Sequence, residues 1–427
     1  VSGTLAVVGA GVKAIAVAAK AAILRQMGVA TIDVVAIERT GVAANWRPEG
    51  GWTDGRQRLG TSPEKDIGFP YRSALVPGRD AELDARLMQW SWQSYLIATD
   101  QFVGWVDRGR PAPSHEAWAR YLRWVATTAG LNVVRGELVA ADVDGSRWQL
   151  RTRTSQLSAD ALLITGPGQS RHSMLTGNPR VLSIAEFWQR AAAPERISVD
   201  SVAVIGGGET AASILNELFH HRVCSVTAIS PQPTLYTRGE GFFENSLFSD
   251  PGRWRSLSRT ERRDCISRTD RGVFSARVQE SLLADERIHH LRGRVINLVD
   301  HDERIWVTLH CGDAGHDNSL HGFDLVIDGS GADPLWFLSL FTPAAREHIQ
   351  NRLGGPLTAA ALEDTIGYDL AVEGLAPKLF LPNLAGLNQG PGFPNLSCLG
   401  LLSDRILSAD VSAPRPALER DDEYQPV

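Results

Sequence analysis

Two short glycine runs stand out as the places where this chain could hold a phosphate-bearing ligand. Gly9-x-Gly11-x-x-Ala14 follows the apolar stretch Leu5 to Val8, and Gly206-x-Gly208-x-x-Ala211 follows Val202 to Ile205. In such a turn the first glycine allows a tight reversal and the second lets a pyrophosphate approach backbone N–H groups at a helix N-terminus. The third, small residue lets helix and strand pack closely. The pattern carries meaning only between a strand and a helix, and both runs have that setting. Glu38 closes a second apolar run, Ile32 to Ile37, where its carboxylate could accept hydrogen bonds from a ribose diol. Beyond the run Val223 to Ile229 the second unit has Ser230 in place of an acid, and Arg238 lies near enough in sequence to pair with a 2′-phosphate. The first unit is therefore expected to bind FAD, through Gly9, Gly11, Ala14 and Glu38. The second is expected to bind NADPH, through Gly206, Gly208, Ala211, Ser230 and Arg238.

The elements that must position these turns are legible as hydrophobic periodicity. Val12 to Met27 has apolar residues at helical spacing without proline, and so does Glu209 to Phe219. From Leu131 to Thr165 the pattern becomes β-rich, with Asp144-Gly145 as a hairpin signal. Residues 251–285 are charged and helical in pattern. Leu291 to Val299 and Ile305 to Leu309 read as a hairpin, and Phe323 to Ile327 as one more strand. The expected fold is α/β: two Rossmann-like dinucleotide-binding domains with a small helical substrate-binding region. Residues 1–166 form the first part of the FAD domain and 167–330 the NADPH domain, with the helical segment at about 240–285. Residues 331–410 return to the FAD and substrate side, and 411–427 form a proline- and charge-rich tail expected to fray.

Composition removes several function classes. The chain has 427 residues, 43% hydrophobic and 22% charged, enough to bury a sizeable core. A net charge of -6 without a clustered basic surface argues against nucleic-acid binding. Cys224, Cys265, Cys311 and Cys398 form no CxxC pair, and His220-His221 and His289-His290 lack partners at ligand spacing, so no metal site is expected. The opening VSGTLAVVGAG lacks the basic start and long apolar stretch of a signal peptide, and nothing downstream reads as a transmembrane segment; a cytoplasmic protein is expected.

Two nucleotide units in one chain imply that a nicotinamide hands a hydride to a flavin. Disulfide reductases pass those electrons to a cysteine pair beside the flavin, and this chain has none. Oxygen remains as the acceptor, through a flavin hydroperoxide.

Three further segments are distinctive. They are Leu59-Gly-Thr-Ser-Pro-Glu-Lys65-Asp66, Arg238-Gly-Glu-Gly-Phe-Phe-Glu-Asn245-Ser-Leu-Phe248, and Gly390-Pro-Gly-Phe-Pro-Asn-Leu-Ser-Cys-Leu-Gly-Leu-Leu-Ser403-Asp404. They resemble the N-hydroxylating flavoprotein monooxygenases, and more narrowly the mycobactin or nocobactin type of lysine N6-hydroxylase, from Thr4 to about Leu407. The resemblance implies hydroxylation of the N6 amine of L-lysine for a hydroxamate siderophore, with the flavin carrying the chemistry and no catalytic side chain. It implies that Lys65 and Asn245 hold the substrate carboxylate, that Ser403 lies near the amine, and that Trp46 stacks near the flavin. In Thr269-Asp270-Arg271-Gly272-Val273-Phe274 the family's asparagine has become Asp270, which could engage the ammonium by charge. A helix starting around Ser397 would point its N-terminus at the flavin ring.

The expected partners are lysine, free or acylated, and O2, with a homo-oligomeric assembly. A lysine amine, with a pKa of about 10.4, must lose a proton before it can attack. L-Ornithine N5-hydroxylation is the nearest alternative. Baeyer–Villiger oxidation is a second: its FxGxxxHxxxW signature is matched at Gly168 and His172, but Gly166 replaces the Phe and Thr176 the Trp. A non-catalytic FAD-binding redox sensor is a third.

Overall fold

The computed structural model describes residues 3–168, 170, 174–311 and 318–409. The tail 411–427, expected to fray, lies outside the described residues, as does His172 of the Baeyer–Villiger signature.

Two five-stranded sheets organise the chain, and every strand pairing in them is parallel. In spatial order the first runs Lys378–Phe380, Ala161–Ile164, Thr4–Val8, Asp33–Glu38 and Asn132–Arg135. The second runs Ile288–Arg292, Arg222–Ser230, Ser198–Ile205, Leu325–Asp328 and Val181–Leu182. Each glycine turn thus leaves the central strand of its own sheet, where the strand order reverses and ligands bind in α/β proteins. Register places the ends together: Val8 stands opposite both Ile37 and Ile164, and Ile205 opposite both Ile229 and Asp328.

Near-continuous apolar runs make these strands. Thr4–Val8 is buried at Leu5, Ala6 and Val7, as a strand covered on both faces must be. The helix Val12–Gln26 is buried from Val12 to Leu24, all round rather than on one stripe. It lies between the sheet and a helical layer where Trp92 meets Tyr95, Trp105, Trp118 and Tyr121 at ring centroids of 5.5–6.4 Å. The aromatic cluster around Trp90 to Trp105 is therefore core. The closing helix Leu399–Leu407 packs on the same nucleotide helix, and the Lys20 ammonium there is ion-paired with Asp404 and donates to the Gly400 carbonyl at 2.8 Å.

Two antiparallel meanders flank the sheets. In the first, Leu138–Asp144 turns through Gly145, at φ +58°, into Arg147–Thr152. In the second the strands differ from the sequence expectation. Ile288–Arg292 joins the parallel sheet, Gly293 breaks the chain, and only Arg294–His301 pairs with Arg304–His310. A Cβ on Gly293 would stand 2.9 Å from the Leu309 Cβ, so glycine lets the chain bend there at close quarters.

The charged stretch after Asp250 is helical, at Pro251–Arg255, Arg259–Thr269 and Ala276–Leu282. Ser258 and Glu261 cap the middle helix reciprocally. A two-residue strand, Val273–Phe274, interrupts it and pairs with Tyr236–Thr237. Among the described residues no helix is long and apolar enough to cross a membrane.

Candidate active site

The first glycine turn is built to admit phosphate. Gly9 has φ +93°, and a Cβ on it would stand 2.9 Å from Thr165 Oγ1. Glu38 is fixed beside the turn: Ala10 N–H donates to Oε2 at 2.9 Å, and Thr40 and Gly41 N–H groups donate to Oε1 at 2.7 and 3.1 Å. No side chain caps the helix Val12–Gln26 at Gly11, which leaves its first N–H groups for an anion. Ala14 is fully buried against the sheet. Gly9, Gly11, Glu38, Asn45, Trp52 and Trp336 line a cavity beside this turn. These residues fit a dinucleotide with a large planar ring.

Sequence reasoning missed Lys13, in the middle of this fingerprint. It is almost fully buried, its ammonium donates to Asn383 Oδ1 and to the Pro394 carbonyl, both at 2.7 Å, and burial lowers its pKa to about 8. The signal was available, since Lys13 and Lys20 are the charges in the otherwise apolar run from Val12 to Leu24.

The second turn has the same backbone requirement. Gly206 has φ +134°, and a Cβ on it would meet the Gly329 carbonyl oxygen at 2.6 Å. Ala211 is buried, and no side chain caps the helix Glu209–Leu218 at Gly208. The segment Asp270–Ser275 lies across this turn. A Cβ on Gly208 would be 3.6 Å from the Gly272 nitrogen, and the Ser275 N–H and hydroxyl donate to the Glu209 carboxylate at 2.7 and 2.9 Å. Ser230 is buried, with its hydroxyl 3.1 Å from His290 Nε2.

Arg238, expected with Ser230 at a 2′-phosphate, is placed elsewhere. Its N–H donates to the Phe274 carbonyl at 2.9 Å, and its guanidinium donates to the Gly60 carbonyl and lies 3.4 Å from Glu240 Oε2. Pairing of Tyr236–Thr237 with Val273–Phe274 steers the chain away from the end of Arg222–Ser230 and into a second cavity.

That second cavity gathers residues from well-separated stretches of the chain, from Trp46 to Ser397. Lys65 Nζ donates to Asn245 Oδ1 at 2.8 Å and to Ser397 Oγ at 3.3 Å. Burial, and then the nearby Arg238 charge, lower the Lys65 pKa. Asn245 sits on the helix Phe242–Ser249 and donates through Nδ2 to the Glu240 carbonyl at 2.6 Å, which orients its amide oxygen toward Lys65. The Lys65 loop is anchored by its neighbour. Asp66 is buried and accepts from Trp92 N–H at 2.9 Å, Tyr71 hydroxyl at 2.7 Å and Gly68 N–H at 3.2 Å. Burial raises the Asp66 pKa to about 6 against the pull of those bonds.

Asp270 lines the same cavity as Lys65 and Asn245. Burial raises its pKa, opposed by Arg271, Arg238 and a hydrogen bond from Asn395. Trp46 also lines this second cavity rather than the first, and packs edge-on against His115 at 4.9 Å. Ser403 does not reach it. The helix begins at Leu399, and Ser403 lies on its inner face with no exposure, donating to the Leu399 carbonyl at 2.8 Å. Asn395 and Ser397, just before that helix, line the cavity instead.

The model of the L-lysine 6-monooxygenase/L-ornithine 5-monooxygenase family matches residues 87–289, a span that includes Asn245 and Asp270. The chain is 64% identical to the L-lysine N6-monooxygenase MbtG of Mycobacterium sp. strain MCS, covering 99% of both chains. It is 65% identical to the protein of that name from Mycobacterium tuberculosis strain H37Rv, covering 96% of both. Among solved structures, the lysine monooxygenase NbtG from Nocardia farcinica, reported for an unprecedented conformation of its NADPH domain, superposes with a TM-score of 0.86 at 51% identity. That match covers 95% of this chain and 100% of the other. Identity at this level over nearly the whole length, on the same two-sheet frame, places this chain in the L-lysine N6-monooxygenase family.

Proposed function

We propose that this chain is an FAD- and NADPH-dependent L-lysine N6-monooxygenase that supplies the hydroxylamine for a hydroxamate siderophore. The observation that carries the reading is the Lys65–Asn245 pair, held at 2.8 Å in one cavity with Asp270. A cationic end and an acidic end in one cavity match the two ends of an α,ω-amino acid. Lys65 and Asn245 hold the carboxylate, and the amine points toward Asp270. When bound, NADPH supplies the hydride, and FAD the redox centre at which O2 is activated for transfer of one oxygen atom to the amine.

The chain's own residues bind, orient and exclude water. Gly9, Gly11, Ala14 and Glu38 hold FAD. Gly206, Gly208 and Ala211 hold the NADPH phosphates, with Ser230 at the strand end. Glu209, the first residue of the second nucleotide helix, lines the Lys65 cavity, which supports reading that cavity as the meeting place of nicotinamide and substrate. Trp46, Leu59, Phe248 and Leu396 give it apolar walls that keep the amine dry. We further propose a cytoplasmic homo-oligomer. Phe242 and Phe243 are 79% and 75% exposed on the Asn245 helix, an apolar surface suited to a second copy.

The test is a hydroxylamine-product assay on purified protein with FAD and NADPH, across lysine, ornithine and acylated lysine. Hydroxylamine from lysine in preference to ornithine supports the reading. Lysine that gives only peroxide defeats it.

A further inference from the structure

Three carboxylates line the Lys65 cavity, and two of them are already committed. Glu209 accepts from Ser275 N–H and hydroxyl at 2.7 and 2.9 Å. Glu240 accepts from Ala276 N–H at 2.7 Å and lies 3.4 Å from Arg238. Asp270 differs from both. No ion pair reaches its carboxylate among the described residues, and its neutral partner is the Asn395 side chain. Arg271, the next residue, is paired with Glu363 at 3.1 Å instead.

Its position makes this lack of an ion pair more telling. Asp270 is the C-cap of the helix Arg259–Thr269, where the last carbonyls concentrate negative charge. A carboxylate there is disfavoured, whereas a cation or a neutral acid is favoured. Burial pushes the Asp270 carboxyl above the usual range in the same direction. The charged groups around it are Arg238 and Glu240 from the segment after Thr237, Glu209 from the second nucleotide helix, Lys65 from its loop and Arg271 beside it. The three cations in that set are engaged elsewhere, Lys65 at Asn245, Arg238 at Gly60 and Arg271 at Glu363.

Resting on the lysine reading, we propose that Asp270 is the proton acceptor of the reaction: it receives the substrate as an ammonium ion and takes one proton from it, leaving the N6 lone pair free to attack. The balance closes without any further reagent. Protonated lysine, NADPH and O2 give the hydroxylamine, NADP+ and water. The nitrogen is oxidised as its bond to oxygen forms and the O–O bond breaks, and the proton parked on Asp270 is the one the second oxygen atom needs to leave as water. The side chain therefore ends the cycle as the carboxylate that began it.

The experiment uses FAD-loaded protein. In the wild type, kcat/KM for lysine hydroxylation stays flat from pH 7 to 9, and calorimetry in buffers of different ionisation enthalpy shows no net proton exchange on lysine binding. In Asp270→Asn, kcat/KM falls by about 100-fold at pH 7, the scale of a lost general base. It climbs about tenfold per pH unit toward the ordinary lysine range, as the neutral amine becomes available from solution. Lysine binding by this variant releases a proton to the buffer. Asp270→Glu, which keeps the acid, retains the flat profile at reduced rate. An Asp270→Asn enzyme that keeps the wild-type pH profile and proton-neutral binding overturns the proposal. A wild type that makes no hydroxylamine from lysine overturns the lysine reading itself, so the two failures are distinguishable.

Discussion

Lys13, on the first turn of the first nucleotide helix, donates to Asn383 Oδ1 and to the Pro394 carbonyl, each at 2.7 Å, binding the closing part of the chain to its beginning. No carboxylate pairs with it among the described residues, and burial lowers its pKa. Because its pKa in the folded protein is about 8, below the ordinary lysine value, the folded state holds fewer protons than the unfolded one between about pH 8 and 10.5. This group's contribution to apoprotein stability therefore rises as pH rises through that window. Melting curves at pH 7 to 10 check this, and Lys13→Met should flatten the dependence.

Lys65→Ala should raise KM for lysine by about 10- to 100-fold, the worth of a charge-assisted hydrogen bond at about 1.5–3 kcal/mol. KM for NADPH should change by less than about twofold, since among the described residues Lys65 bonds only to Asn245 and Ser397. Steady-state kinetics varying each substrate in turn reads both. An equal loss for both substrates would count against the carboxylate role.

Asp66 makes lysine binding sensitive to acid. Ionised, it accepts three hydrogen bonds that hold the Lys65 loop. Protonation near pH 6 costs it acceptor capacity, so KM for lysine should rise as pH falls through about 6. Stability should not fall with it. A carboxyl whose folded pKa is raised takes up its proton more readily when folded, so this group's contribution grows as pH drops from about 6 to 4. Melting curves measured beside the kinetics separate a loosened loop from a failing fold.

The two glycine turns should fail independently. Gly9→Ala forces a side chain into φ +93° and to 2.9 Å from Thr165 Oγ1, so FAD affinity should drop by at least about tenfold. Gly206→Ala meets the Gly329 carbonyl oxygen at 2.6 Å and should impair NADPH use while the protein stays yellow. Flavin content by absorbance and NADPH KM give the readouts. A Gly206→Ala protein that loses its flavin instead would contradict the division of the two sites.

Of the two serines in the closing segment, Ser397→Ala should raise KM for lysine and Ser403→Ala should leave it within about twofold. The first hydroxyl is 3.3 Å from Lys65 Nζ, whereas the second is sealed inside its helix. Parallel lysine titrations of the two variants decide between the positions.

The nucleotide turns could be read from the sequence because backbone geometry at Gly9 and Gly206 admits few other residues, and strand and helix periodicity flank them on both sides. Lys65 and Asn245 were legible only through their surrounding segments, as their partnership spans 180 residues and leaves no local pattern. Ser403 and Arg238 show the opposite limit. The first is one residue type on a helix whose facing depends on where Leu399 starts it, and the second is steered by a two-residue strand too short to leave a periodic signal. Lys13 was overlooked because a lysine on a nucleotide helix normally reads as solvent-facing, and only the tertiary fold covers it.

One residue, Arg271, separates Asp270, which lines the Lys65 cavity, from Gly272, which rests on the second glycine turn. One stretch of main chain is therefore answerable to both ligands. Any shift that clears Gly272 for a dinucleotide also re-aims Asp270, and reciprocity requires that lysine change the grip on NADP+ by the same factor by which NADP+ changes the grip on lysine.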